Sequence, residues 1–197
     1  MSIRISTVAL LAVLAAAPYA KAQEDVILKD LSVDQIAAYK AGPNKQSSLQ
    51  VTASLDRSDM TYASGDVVKL RLKTNEDAYV TVFNVGPKGK VTQIYPNRLD
   101  KDNLVKANRN VEIPSKGSKA EIKVSGDLGA EVIKVIATSK PLQVSPQAAT
   151  SPNQIFLSIK ESVPEIVRNL EVTTATAPSA DKLSIVNLAF KTIEKRK

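Results

Sequence analysis

The chain has 197 residues, carries a formal net charge of +7, and contains neither cysteine nor histidine. These two absences exclude disulfide bonds, thiolate nucleophiles, thiolate metal sites and every Ser-His catalytic arrangement. Catalysis would have to rely on carboxylates, lysine or tyrosine, so we expect a protein that is not an enzyme and that needs no cofactor.

The first residues resemble a secretory signal peptide. Arg4 precedes an apolar run over residues 5–17, and an A-x-A sequence at residues 20–22 supplies small side chains for cleavage before Gln23. The run is shorter than the ~20 apolar residues of a membrane-spanning helix. We therefore expect residues 1–22 to be removed and the remaining chain, without a membrane span, to be periplasmic or secreted. An uncleaved anchor is the alternative.

Residues 23–48 are predicted to hold one short helix and a linker. Ser32 and Gln35 have the spacing of a capping box, and Gly42 supplies a stop signal. The predicted helix, residues 33–41, has only two to three turns. A helix of this length is stable only when it docks onto other structure.

From residue 49 to about residue 138 the hydrophobic pattern changes to a period of two. Apolar residues alternate with polar ones, and turns that contain Gly, Pro or Asp separate the runs. Val, Ile, Thr and Tyr, which favour strands, dominate these runs. The alternation predicts one buried and one solvated face on each sheet. The predicted strands cover residues 49–55, 68–72, 79–85, 91–95, 120–124 and 132–137.

The last third of the chain is predicted to leave the sheet and return to it. Residues 139–152 contain three prolines and are predicted to form a loop. Apolar residues at helical spacing then predict two short helices, 153–161 and 163–170, with Pro164 in the first turn of the second. Residues 183–191 alternate again and predict a final strand, with a helix as the alternative.

These patterns together predict a mainly β fold, an antiparallel β-sandwich of the immunoglobulin-like kind with short flanking α-helices. The sandwich domain is expected to span residues 49–197, with a helical insertion at about residues 153–170.

The most concentrated basic stretch lies in and around the connection at residues 97–119. It is expected to contact an envelope protein or an anionic envelope polymer, with Tyr95 as a buried anchor; a solvated loop is the alternative. No aromatic residue lies between Asn97 and Ala120, which argues against binding of nucleic acid by base stacking. The candidate interaction surface comprises Tyr95, Asn97, Arg98, Lys101, Lys106, Arg109, Lys116 and Lys119.

Several acidic residues allow a second interpretation. A cluster near residue 100 has oxygen ligands that suit calcium, but the loop lacks the turn glycine and the distal glutamate of a calcium loop. Other acidic pairs have the spacing of paired carboxylates for hydrolysis. Because Asp and Asn are common in turns for conformational reasons, we assign neither a metal site nor a catalytic residue. The residues concerned are Asp100, Asp102 and Asn103 for calcium, and Asp56 with Asp59 or Glu76 with Asp77 for hydrolysis.

Five short segments of the chain follow one another in a characteristic order. In them a Gly-Asp pair opens a strand, an aromatic residue precedes a strand rich in Val and Phe, and a strand closes on Pro-Asn. The segments are residues 62–70, 77–83, 89–97, 113–114 and 132–137. In this order they resemble a bacterial family, the domain of unknown function 4384. The resemblance implies a domain that is exported, or attached to signalling or peptidase modules, with no assigned catalytic residues.

We therefore expect an exported, non-enzymatic binding or assembly module of the bacterial cell envelope. Two alternatives stay open, a carboxylate-dependent hydrolase of envelope polymers and an accessory or inhibitor subunit of an export machine. A cavity that holds two convergent carboxyl groups with a raised pKa would favour the hydrolase.

Overall fold

The computed structural model of the chain describes residues 25–42, 47–124, 127–142, 154–176 and 182–195. The predicted signal peptide and most of the predicted proline-containing loop lie outside these residues. In the described part of the chain, no helix is both long and apolar enough to cross a bilayer.

The described ranges contain two helices and twelve strands, preceded by a single helical turn at residues 25–28. In chain order they are α1 (Val33–Lys40), β1 (Val51–Leu55), β2 (Thr61–Ala63), β3 (Val67–Val68), β4 (Leu70–Thr74), β5 (Ala78–Val85), β6 (Val91–Tyr95), β7 (Leu104–Val105), β8 (Val111–Ile113), β9 (Ile122–Lys123), β10 (Gly129–Thr138), β11 (Leu157–Ser158), α2 (Val163–Thr176) and β12 (Leu183–Ile193).

The strands form two main sheets and a short ribbon. The small sheet has the order β1-β4-β8, and the large sheet has the order β11-β6-β5-β10-β12-β2, with β7 paired to β5 beside this path. The ribbon consists of β3 and β9. The pairs are antiparallel except β12 with β2, which run parallel. The predicted mainly β, antiparallel fold with short helices is therefore confirmed.

A first hydrophobic core lies between the small sheet and one face of the large sheet. Val51 and Leu72 contribute to it from the small sheet, and Val82 and Val135 contribute from the large sheet. In β4 buried and exposed residues alternate, as the period of two predicts. Because both inner faces share this core, the two sheets pack as a sandwich.

A second hydrophobic core covers the opposite face of the large sheet. Phe83 and Val132 of the sheet pack in one cluster with Ala38 of α1 and Ile166 of α2. Consequently β10 is buried at every position after Gly129. The expectation of one solvated face on each sheet is wrong for the large sheet, because the helices form a third layer against it.

Gln35 fixes α1 to the large sheet. Its side-chain amide donates to the backbone carbonyl oxygens of Val85, at 3.3 Å, and Ala130, at 2.6 Å. Its Oε1 accepts from the backbone N–H of Ser32 at 2.9 Å, which is half of the predicted capping box. One residue therefore caps the helix and docks it, as a helix of two turns requires.

Replacing this anchor should measurably destabilise the fold. We expect Gln35→Ala to lower the free energy of unfolding by about 2–4 kcal/mol, because the carbonyl oxygens of Val85 and Ala130 and the N–H of Ser32 lose their partners. Urea unfolding followed by circular dichroism measures the change. Asp34→Ala, at an exposed position in the same turn, is the control and should cost less than about 1 kcal/mol. Equal losses for the two variants would show that apolar contacts alone hold α1.

The predicted helix over residues 153–161 is wrong in its described part. Strand β11 lies there instead, with Leu157 opposite Gln93 of β6. The N–H of Ile159 then donates to the carbonyl oxygen of Val91 at 3.1 Å. The edge of β6 that faces away from β5 offers backbone partners, so sheet pairing overrides the helical spacing of the side chains.

The second predicted helix is present as α2. The carboxylate of Glu165 accepts hydrogen bonds from the N–H of Ser162, at 2.7 Å, and from its hydroxyl, at 2.8 Å, and these bonds lower the pKa of Glu165. Pro164 lies in the first turn, where its missing N–H costs nothing. The helix extends beyond the predicted end at residue 170. The last alternating segment forms β12, so the prediction of a final strand is confirmed.

Candidate functional site

The predicted interaction surface begins where β6 ends, at Tyr95. This residue is 4 % exposed, and its hydroxyl donates to the backbone carbonyl oxygen of Asp102 at 2.6 Å. Burial raises the pKa of Tyr95 to about 12, and the charges of Asp102 and Asp100 add to the effect. The phenol therefore stays protonated at neutral pH and ties the connection after β6 to itself.

Asn97 organises the turn that follows. Its side-chain amide donates to the carbonyl oxygen of Ile94 at 3.0 Å, and its Oδ1 accepts from the N–H groups of Leu99 and Asp100, both at 2.9 Å. The side chain is buried. Tyr95 and Asn97 thus lie inside the base of the connection and shape it. The prediction that Tyr95 and Asn97 belong to the interaction surface is therefore corrected. Both side chains are buried, and their polar atoms form hydrogen bonds within the connection.

The six basic residues of the predicted surface are exposed, and they divide into two groups. Arg98, Lys101, Lys106 and Arg109, which we call the basic loop, lie in the connection between β6 and β8. Lys116 and Lys119 follow β8, whose register places Ile113 opposite Leu70. Arg109 precedes β8, and the N–H of its neighbour Asn108 donates to the carbonyl oxygen of Thr74, at the other end of β4. Arg109 and Lys116 therefore lie near opposite ends of β4.

Hydrogen bonds and an ion pair hold the basic loop against the sandwich. Lys106 forms an ion pair with Asp77 at 2.8 Å, which raises the pKa of Lys106 and lowers that of Asp77. The second oxygen of Asp77 accepts from the N–H of Ala107 at 2.8 Å. The amide of Asn103 donates to the carbonyl oxygen of Val80 at 3.1 Å. The loop consequently presents its cations from a fixed backbone.

The carboxylates considered for hydrolysis each have a structural partner. Asp56 accepts from the hydroxyl of Tyr62 at 2.7 Å, and Asp59 accepts from the N–H of Thr61 at 3.2 Å. Lys182 donates to Glu76 and lowers the pKa of this carboxyl. A general acid needs the opposite shift. The geometry thus gives no support to the hydrolase alternative at these pairs.

Two of the three residues considered for calcium also bond locally, whereas Oδ2 of Asp100 is buried without a hydrogen-bond partner among the described residues. Asp102 accepts from the N–H of Leu104 at 3.1 Å, while Asn103 is engaged with β5. Within the described ranges, no group of three or more acidic side chains is placed to hold a metal ion.

Two charged side chains on β10 were missed by the sequence reasoning. Lys134 is completely buried on the face that carries the helices, and Glu131 is 8 % exposed on the face of the first core. Both lie in the run Glu131-Val-Ile-Lys134-Val-Ile-Ala. The sequence did contain a signal for these two residues, namely charges within a continuous apolar strand. Such charges are informative because buried ionisable groups are rare and often functional.

The fold and this surface define a class: a two-sheet β domain with a helical layer on the larger sheet and a basic loop between β6 and β8 that hydrogen bonds tie to the sandwich. The family model for the Domain of unknown function (DUF4384) matches residues 61–141, which supports the resemblance of this segment to that family. The matched segment runs from β2 past the end of β10, so it includes the basic loop and both buried charges. No curated protein and no solved structure matches the chain.

Proposed function

We propose that this chain is an exported, non-enzymatic binding module of the bacterial cell envelope, whose basic loop contacts an acidic envelope protein or an anionic envelope polymer. The observation that carries the proposal is the contrast within the loop between fixed backbone and free cations. Tyr95, Asn97 and Asp77 bond the backbone in place, whereas Lys101 and Arg109 are exposed.

A rigid loop favours binding because less conformational entropy is lost when the partner docks. Exposed cations on such a loop steer an anionic partner and set its orientation. The signal-like N-terminal pattern supports export, and the lack of cysteine and histidine supports a role in binding. The lowered pKa values of Glu76 and Asp77 favour this function over the hydrolase.

Reversing two loop charges should weaken partner binding. We expect Lys101→Glu with Arg109→Glu to reduce recovery of an envelope partner about five- to tenfold, because two attractive contacts become repulsive. Lys106 is left intact, since its ion pair with Asp77 supports the loop. The measurement is chemical cross-linking and capture from envelope extract with the chain that starts at Gln23, with protein and polymer fractions quantified separately.

The matched control is Lys29→Glu with Lys73→Glu, two exposed positions outside the loop that give the same change in net charge. The control should retain recovery within about twofold, and circular dichroism should show both variants folded. Equal recovery by the loop variant and the control would remove the basic loop from the proposal.

A further inference from the structure

A second potential site lies between the ribbon and the large sheet. A cavity of about 360 Å³ opens between the ribbon and the face of the large sheet that carries the first core. This volume is at the lower end of the range for small-molecule pockets. Its walls combine polar and apolar side chains, and the apolar ones include Val68, Ile94, Val124, Ile133, Phe156 and Phe190.

Two of the polar residues that line this cavity, Glu131 and Asn84, supply hydrogen-bond acceptors. Glu131 is 8 % exposed and accepts from the Thr192 hydroxyl at 2.6 Å and from the Asn84 amide at 2.8 Å. Both carboxyl oxygens therefore act as acceptors and retain lone pairs for further donors. Beside them, Oδ1 of Asn84 is buried and lacks a hydrogen-bond partner among the described residues.

Glu131 also lacks a cationic partner in the described part of the chain. Two rim lysines are occupied elsewhere, since Lys88 pairs with Asp127 and Lys123 pairs with Glu121, both at 2.8 Å. Lys90, also at the rim, is exposed, so solvent and salt screen its repulsion of an entering cation. A buried carboxylate whose only donors are neutral is costly unless a cation compensates it.

We propose that this cavity binds a small organic amine, with the ammonium group against Glu131 and the apolar part of the molecule between Phe156 and Phe190. An ammonium group brings three donors to cavity-lining residues that offer acceptors. The faces of the two aromatic rings can contact both an apolar chain and a cationic group. The same alkylammonium chemistry is available from a free amine and from a lysine side chain of a partner protein.

The test compares three probes of one shape and different charge. Hexylamine, hexanol and hexanoate are titrated into the isotopically labelled protein, and backbone amide shifts of Asn84, Glu131 and Thr192 report binding in the cavity. We expect hexylamine to bind at least about tenfold more tightly than hexanol, since it adds a charge-assisted hydrogen bond, and hexanoate to bind most weakly. A peptide Gly-Lys-Gly with blocked ends distinguishes the sources: tighter binding than hexylamine indicates a partner's lysine, and weaker binding indicates a free amine.

Two variants separate charge recognition from apolar contact. Glu131→Gln should weaken hexylamine about tenfold or more and leave hexanol within about twofold, because only the charge is removed. Phe156→Ala, at a half-buried position of the wall, should weaken both probes alike. If Glu131→Gln does not fold, the comparison of the three probes on the unaltered protein still tests whether the cavity prefers an ammonium group.

Three results would overturn the proposal: hexanol binding as tightly as hexylamine, hexanoate binding more tightly than either, or no shifts at the three cavity residues with any probe.

Discussion

Between about pH 7 and pH 10.5 the free energy of unfolding should rise, and this increase should disappear in Lys134→Met. Lys134 is 0 % exposed, and its burial lowers the pKa from 10.5 to about 7. Within that window the unfolded chain binds a proton that the folded chain lacks, so stability increases with pH. Below about pH 7 both states are protonated, and the full cost of the buried charge remains. We expect an increase of about 2–4 kcal/mol, below the limit of about 5 kcal/mol that the two pKa values set.

The contacts of Lys134 explain why the neutral amine suits this place. Its Nζ donates to the carbonyl oxygen of Ala41 and to Oδ1 of Asn187, both at 2.6 Å. A neutral amine has two N–H groups, one for each acceptor, and the third proton of an ammonium group would need another partner. Because Ala41 is the C-cap of α1, the amine joins the helical layer to β10 and β12. Protonation would therefore strain the contact between the helices and the large sheet.

Urea unfolding at intervals from about pH 6 to about pH 10 measures the effect as a difference between variants. Lys134→Met leaves two acceptors unpaired, but that cost does not change with pH. The slope of the free energy of unfolding against pH therefore reports the titration of Lys134. The exposed Lys73→Met is the control for general effects of removing a lysine. We expect the free energy of unfolding of Lys73→Met to change with pH as that of the unaltered protein does. The free energy of unfolding of Lys134→Met, relative to the unaltered protein, should fall as the pH rises. Parallel curves for all three proteins would mean that the amine of Lys134 stays protonated in the folded state.

Local signals sufficed for the elements whose own residues decide their conformation. The capping pair Ser32 and Gln35 starts α1 where expected, and β6 has the predicted ends, Val91 and Tyr95. The period of two in β4 also gives the correct buried face. In each case the relevant interaction spans few residues, so it can be read from spacing alone.

The errors come from contacts between residues distant in sequence. β11 forms because β6 offers a free edge, and nothing near Leu157 encodes that edge. The helical layer on the large sheet depends on docking by Gln35 and on apolar residues of α2, such as Val167. The alternation of apolar and polar residues within one strand cannot distinguish a face that is exposed to water from a face that packs against a helix.

The candidate site was predicted in part for the same reason. The six basic residues that the sequence singled out are exposed, while their role in binding stays a prediction. It could not show that Tyr95 and Asn97 bond to backbone atoms within their own loop. Glu131 and Lys134 were visible only as charges in an apolar run, and their separate faces follow from strand parity once β10 is known to be buried on both sides.

Truncating Tyr62 should cause the largest loss of stability among single substitutions considered. The ring is completely buried in β2, lies edge-on to Phe190 with ring centroids 5.5 Å apart, and has the guanidinium of Arg57 4.7 Å from its centroid. Since β2 is only three residues long, this ring is its main hold on the first core. We expect Tyr62→Ala to lower the free energy of unfolding by about 3–5 kcal/mol.

Tyr62→Phe separates the ring from the hydroxyl. The hydroxyl donates to Asp56 at 2.7 Å, and burial, reinforced by this carboxylate, raises the pKa of Tyr62 above its usual value. Removing the hydroxyl should cost about 1–2 kcal/mol, since Asp56 keeps the N–H of Lys69 as a donor at 2.9 Å. Urea unfolding followed by circular dichroism gives both values, and the Phe variant stays measurable if the Ala variant does not fold. A loss for Tyr62→Phe as large as that for Tyr62→Ala would assign the stability of β2 to the hydrogen bond instead of the buried ring.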